Sequence, residues 1–266
     1  MAISGSPPIK FSQIQTEWTG TSNFLAYVKG GTYVKSTDTG VTSVNTAAPL
    51  KMLQFLGAAK SLGPTFVAAG TFAQTPGQPA GITTNDILVM LATGATTTPA
   101  GWTLKVTGNE LKVFWQRYAG VGSPTLAAGR KGQISAFRGC ITSGDPFNAF
   151  GTVSEGEGAE SASSSPGSIT TSVNNCLILA LIGGRETDGS GGSPSGGGSV
   201  NSITGPATTS TSAGSSNVNT TSGYGVNLYR GVLATAGATG AGSITMSYTI
   251  ENYGYVSAVL GALRPP

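Results

Sequence analysis

The densest run of side chains able to do acid–base chemistry is "SEGEGAES", which sets Glu155, Glu157 and Glu160 close together. Paired carboxylates can hydrolyse a glycosidic bond, one protonating the leaving oxygen while the other attacks the sugar or activates water. That chemistry needs a rigid, partly desolvated setting to drive two carboxyl pKa values apart. The Gly, Ala and Ser around these glutamates read instead as a mobile, solvated turn, and the run lacks the regular Asp spacing of a calcium loop. The chain has no histidine, which removes Ser-His-Asp triads, His-assisted cysteine nucleophiles and His-containing zinc sites. Cys140 and Cys176 stand outside any CxxC pair and are expected as buried, reduced thiols. "GAAKS" at 57–61 lacks the spacing that lets backbone amides surround a phosphate. Trp102 and Trp115 are expected in the core rather than on a sugar-stacking platform. The expected inventory is therefore no catalytic residue, no cofactor and no metal.

A chain of 266 residues can bury a core without covalent staples. Hydrophobic residues make up 38% but charged ones only 9%, far below the roughly 25% of ordinary soluble domains. The 41 Gly, with abundant Ser and Thr, favour many short strands joined by turns. A surface so poor in charge lacks the usual protection against self-association, as suits a protein assembled with neighbours. No run reaches the roughly 18 apolar residues that cross a bilayer, and "MAISGSPPIK" lacks a charged-then-apolar leader, so a soluble, unexported chain without membrane insertion is expected. Charge is uneven: residues 1–60 carry Lys10, Lys29, Lys35, Lys51 and Lys60 against Glu17 and Asp38, and the remainder balances. This excess is too sparse for nucleic acid. It suits either an acidic docking surface on a partner protein or a plainly solvated face.

From Gly63 onward apolar runs alternate with Gly/Ser/Thr turns. "ILVMLA" and "CLILALI" are continuously apolar, as strands covered on both faces are, whereas "ELKVFWQRY" and "SITMSYTI" alternate like half-buried strands. No convincing helix separates them, so an all-β, antiparallel β-sandwich or jelly-roll-like domain of two packed sheets is expected. The domain is internally duplicated. "GITTNDILVMLATG" is echoed by "SITTSVNNCLILALIGG", aligning Asn85 with Asn174 and Gly94 with Gly183; "VFWQRYAG" by "VNLYRGVL", aligning Arg117 with Arg230; and "QISAFRG" by "VSAVLGALRP". Residues 183–225, Gly/Ser-rich at their start, read as one long surface insertion with a weak strand near Val200–Thr204. If the protein binds a receptor or glycan, this insertion is the first candidate.

Residues 1–62 form a separate, small, extended region. "PPIKFSQIQTEW" from Pro7 and "APLKMLQFLGAAK" from Ala48 repeat one pattern in letters the chain uses sparingly. Ser12 and Gln15 make a capping box that the second copy, with Leu53, lacks. "NFLAYVKGGTYV" between the copies reads as a hairpin around Gly30 and Gly31.

These two copies resemble segments of tail and tail-fibre proteins of tailed bacteriophages. "NDILVML", "PAGWT", "ISAFRG" and the closing "SAVLGALRP" resemble a β-sandwich module recurring in such proteins. The resemblance covers most of the chain outside the Gly/Ser-rich insertion; Leu53 departs from it, and "PAGWT" has no second copy. It implies a non-enzymatic virion protein of the tail, a tail fibre, baseplate or tip component assembled in the host cytoplasm. Pro8, Ile9, Lys10, Phe11, Ile14 and Trp18, with Pro49, Leu50, Lys51, Met52 and Phe55, would dock on another virion protein, and residues 63–266 would pack or project outward. It further implies a homo-oligomer, a trimer or hexamer. A host receptor- or glycan-binding module, a head-decoration protein and a depolymerase using Glu155 or Glu157 are the alternatives.

Overall fold

The chain divides into two compact units, residues 1–62 with Pro266 and residues 63–265. The computed structural model describes residues 63–94, 96–187, 199–205, 207, 209–219, 222–247 and 253–266. The docking residues Pro8 to Phe55, the capping box, the hairpin and "GAAKS" lie outside the described residues.

The described residues hold strands and no helix. One sheet runs β1 (Thr65–Ala69), β5 (Gly132–Arg138), β2 (Ile87–Ala92), β4 (Lys112–Arg117), β3 (Thr103–Thr107), antiparallel throughout. A second runs β11 (Thr209–Asn219), β12 (Ser222–Leu233), β9 (Cys176–Thr187), β14 (Tyr253–Leu263), β6 (Phe147–Phe150), and β7 (Ser154–Ala159) pairs with β14 beyond β6. A third sheet, not foreseen from the sequence, joins β10 (Ser199–Thr204), β13 (Ser243–Ser247) and β8 (Ser161–Ser164).

The continuous apolar runs are central strands with both faces covered. Ile87, Val89 and Leu91 of β2 meet Leu177, Leu179 and Leu181 of β9, with Val113, Phe137, Val226, Leu228 and Val259, in the core between the first two sheets. The alternate residues of β2, Leu88 and Met90, lie under Trp102 and Leu126. Those of β9 are roofed by the third sheet, where Ala162 and Ile244 cover Ile182, Val256 and Ala258, and by Ile169 and Ala207 over Ile178, Ala180 and Leu260. Every residue of β2 is buried as a result. Its start is tied down by buried Asp86, which accepts bonds from Thr83 N–H (2.8 Å) and from Arg138 Nε (3.0 Å) and Nη2 (2.8 Å) at the end of β5.

The internal duplication is topological. The first sheet, β1-β5-β2-β4-β3, has the same order and chain sequence as β6-β14-β9-β12-β11 of the second. What the second half adds between these strands is β7, β8, β10 and β13, and the last three make the third sheet. The ladders correct the sequence alignment of the halves. Ile87 lies between Arg117 and Phe137, and Leu177 lies between Val232 and Leu263, so Asn85 corresponds to Asn175, one residue beyond Asn174. Asn85 and Asn175 share a rare left-handed backbone, φ 74° and 56°, which Asn tolerates better than most side chains. The same one-residue step moves the partner of Gly94 from Gly183 to Gly184, while Arg117 corresponds to Val232 rather than Arg230. A one-residue slip in a strand reverses inside and outside, and only the corrected pairing keeps Ile87 and Leu177 on the shared core.

The reading of 183–225 as a single surface insertion is also corrected. β9 continues to Thr187, β12 begins at Ser222, and β11 fills Thr209–Asn219; only β10 matches the strand expected near Val200–Thr204. Gly183 and Gly184 pair with Val226 and Gly225, so residues that look like linker are extended strand held by the ladder.

Candidate functional site

The paired strands of the second sheet outreach those of the first. β2 has 6 residues and β9 has 12, and since Ile87 corresponds to Leu177, the overhang is Gly183–Thr187, about 16 Å of strand. Period-two alternation places Gly183, Arg185 and Thr187, with Tyr253, Tyr255 and Ser257, on the face that carries the inter-sheet core lower down.

Cross-strand pairing then builds rows on this overhang. Tyr255 lies between Glu157 of β7 and Arg185 of β9, and Arg185 is paired in turn with Tyr224 of β12; one step toward the core, Ser257 lies between Glu155 and Gly183. Glu155 and Glu157, which the sequence reads into a mobile turn with Glu160, are instead on strand β7, and this is a correction; Glu160 alone keeps to a turn. Glycine is present there for a physical reason: a Cβ on Gly156 would sit 1.8 Å from the Ser163 carbonyl oxygen of β8, which crosses the other face. Gly183 plays the same part on the opposite side, since a Cβ there would lie 2.5 Å from the Glu110 carbonyl oxygen of the β3–β4 turn.

That turn closes the site against the core. Glu155 Oε1 accepts from Asn109 N–H (2.9 Å), Glu155 Oε2 accepts from the Ser257 hydroxyl, and Ser257 Oγ accepts from Glu110 N–H (2.9 Å). Glu110, itself buried, forms an ion pair with Arg185 at 3.0 Å. Its carboxyl pKa is nonetheless raised, because burial outweighs the attraction of Arg185 and Glu155 adds repulsion. The Arg185 guanidinium lies 4.5 Å from the Tyr255 ring centroid, and the Tyr253 and Tyr255 rings are tilted at 59° with centroids 5.3 Å apart. The Tyr253 phenol is raised above its ordinary pKa by partial desolvation first, then by the charges of Glu157 and Tyr255. Further along the row Arg130 Nη1 donates to Tyr224 Oη at 3.1 Å. Between Asn109, Glu155, Gly156, Glu157 and Tyr255 lies an open cavity of about 240 Å³.

The structure does not bring together the other sequence-stressed groups. Glu160 sits exposed in the β7–β8 turn with φ 59°. Trp102 is buried on the outer side of the first sheet, and Trp115 packs half-buried against the inter-sheet core, so neither offers a stacking platform. Cys140 and Cys176 are buried and reduced, and burial pushes the Cys140 thiol up to about 12. Sequence reasoning missed Asn109, Glu110, Arg185, Tyr253, Tyr255 and Ser257. A signal was present, since "YGYVS" and "SEGEGA" both alternate with period two, but their partners are distant in the chain. No group of three or more metal-ligating side chains occurs among the described residues. No family model matches the chain, and neither the curated proteins nor the solved structures return a match.

Proposed function

We propose that this protein is a non-enzymatic structural component of a bacteriophage tail or tail appendage, at the fibre, baseplate or tip. Residues 1–62 dock it, in several copies, on another virion protein, through Pro8, Ile9, Lys10, Phe11, Ile14 and Trp18 and their second-copy counterparts Pro49, Leu50, Lys51, Met52 and Phe55. The sandwich packs against neighbours or projects. The observation that carries this reading is the resemblance of the duplicated amino-terminal motif together with "NDILVML", "ISAFRG" and "SAVLGALRP". These three signatures coincide with β2, β5 and β14, which run through the middle of the two main sheets. A chain with 9% charged residues further suits permanent contact with neighbours. The carboxylates fit a structural part as well: both oxygens of Glu155 are already engaged, and Glu110 is paired with Arg185.

The test is particle assembly. A phage whose gene for this protein lacks codons 1–62 should assemble without it, and immunogold with an antibody to residues 63–266 should label intact wild-type tails. Incorporation of the truncated protein, or label on heads alone, would overturn the assignment.

A further inference from the structure

We infer that the overhanging end of the second sheet is a saccharide-binding site, centred on the cavity between Glu155, Glu157, Asn109 and Tyr255 and extended by the ring of Tyr253. The inference is independent of where on a particle the protein resides.

Three features of the site point to this ligand class. The first is a mixed lining. A pyranose presents an apolar C–H face and a rim of hydroxyls. The cavity is lined by Tyr255, by the acidic Glu155 and Glu157, and by Asn109. Small-ligand pockets combine aromatic surface with a few placed polar groups in this way, and tyrosine supplies both kinds of contact.

The second is preorganisation. Glu155 is held by a main-chain N–H and a hydroxyl, and Tyr255 by the guanidinium of Arg185. Side chains already ordered lose little freedom when a ligand arrives, which is where affinity for a small polar molecule is otherwise lost. The third is access. Tyr253 is 37% exposed and Glu157 is exposed, although both stand on paired strands and not on a loop. The cavity of about 240 Å³ is below the roughly 300–1,000 Å³ that holds a drug-sized ligand, a scale suited to one sugar unit with its neighbours lying over Tyr253.

Other occupants fit less well. A hard divalent cation takes about 6–8 oxygen ligands, and no cluster of three or more metal-ligating side chains is found among the described residues. An ammonium or guanidinium ligand would rely on the carboxylates, and its binding would fall steeply with salt. Hydrolysis of the bound sugar is not part of the proposal. The raised carboxyl, Glu110, is buried under Arg185 and does not line the cavity.

The experiment presents the full-length protein to an immobilised array of neutral and acidic oligosaccharides, then measures the strongest binder by calorimetry at 0.15 M and 1 M NaCl. At least one oligosaccharide should bind, with affinity changed less than threefold by salt. Tyr253→Ala and Glu157→Gln should each weaken it tenfold or more. Both residues are exposed, so unchanged circular dichroism and melting are expected to accompany that loss. Absence of any array binding, binding indifferent to both substitutions, or binding that vanishes at 1 M NaCl and is matched by spermidine would overturn the proposal. Particle incorporation, measured separately, is unaffected by either outcome.

Discussion

Glu110 shows how a single residue reports the balance between burial and pairing. Its carboxylate lies 3.0 Å from Arg185, a contact that alone would lower the pKa, yet desolvation holds it above 4.5. The folded state therefore binds more protons than the unfolded chain between the ordinary Glu value and the raised one. Stability from this group is fully present below about pH 4.5 and is lost as pH rises through the folded pKa. Glu110→Gln should remove that slope. Melting curves of wild type and variant from pH 4 to 8 should converge at low pH and separate in the variant's favour at high pH. A variant that loses ground as pH rises would mean that the ion pair outweighs burial. The residue scale also contains the clearest miss from sequence. Glu155 and Glu157 have the right chemistry, but the Gly, Ala and Ser around them read as a mobile turn. In the fold those glycines are required because β8 lies against them, and the flanking glutamates are consequently ordered.

At the level of elements, strand length decides which faces are covered as much as strand identity does. The short strands of the first sheet cover the apolar half of β9 and β14; over the polar half the β3–β4 turn buries Gly183 and Ser257, and Tyr253 and Glu157 stay exposed beyond it. The third sheet seals the opposite face, and its approach depends on Gly156 and Gly158 lacking side chains. Gly156→Val is expected to destabilise by roughly 1–3 kcal/mol or more, the usual cost of forced overpacking, and to raise hydrogen exchange in β8 and β13 before β2 and β4. Equal protection loss in all four strands would mean that the sheets unfold as one cooperative unit. The one-residue slip between Asn174 and Asn175 belongs to this scale as well. Local composition matched the two asparagines, but only the ladder registers and the shared positive φ select Asn175.

For the whole molecule, the two main sheets are one strand plan used twice and packed face to face, with the additions of the second half turned into a third layer. Residues 63–265 hold their own core clusters, which predicts that a protein comprising residues 63–266 folds alone. It should show β-type circular dichroism and a cooperative melt within a few degrees of the full chain. Loss of the cooperative melt would show that residues 1–62 contribute to that core.

The sequence by itself determined the β class, the doubly covered strands "ILVMLA" and "CLILALI", and the order of the repeated signatures. An unbroken apolar run in a chain this poor in helix formers has to be buried on both sides. The tertiary structure alone decided that Tyr255 meets Glu157 and Arg185, that Ser257 meets Glu155, and that Tyr253 and Glu157 stay exposed at the end of this face. Cross-strand neighbours are chosen by register and by the relative lengths of packed sheets, and neither quantity is written in the residues nearby.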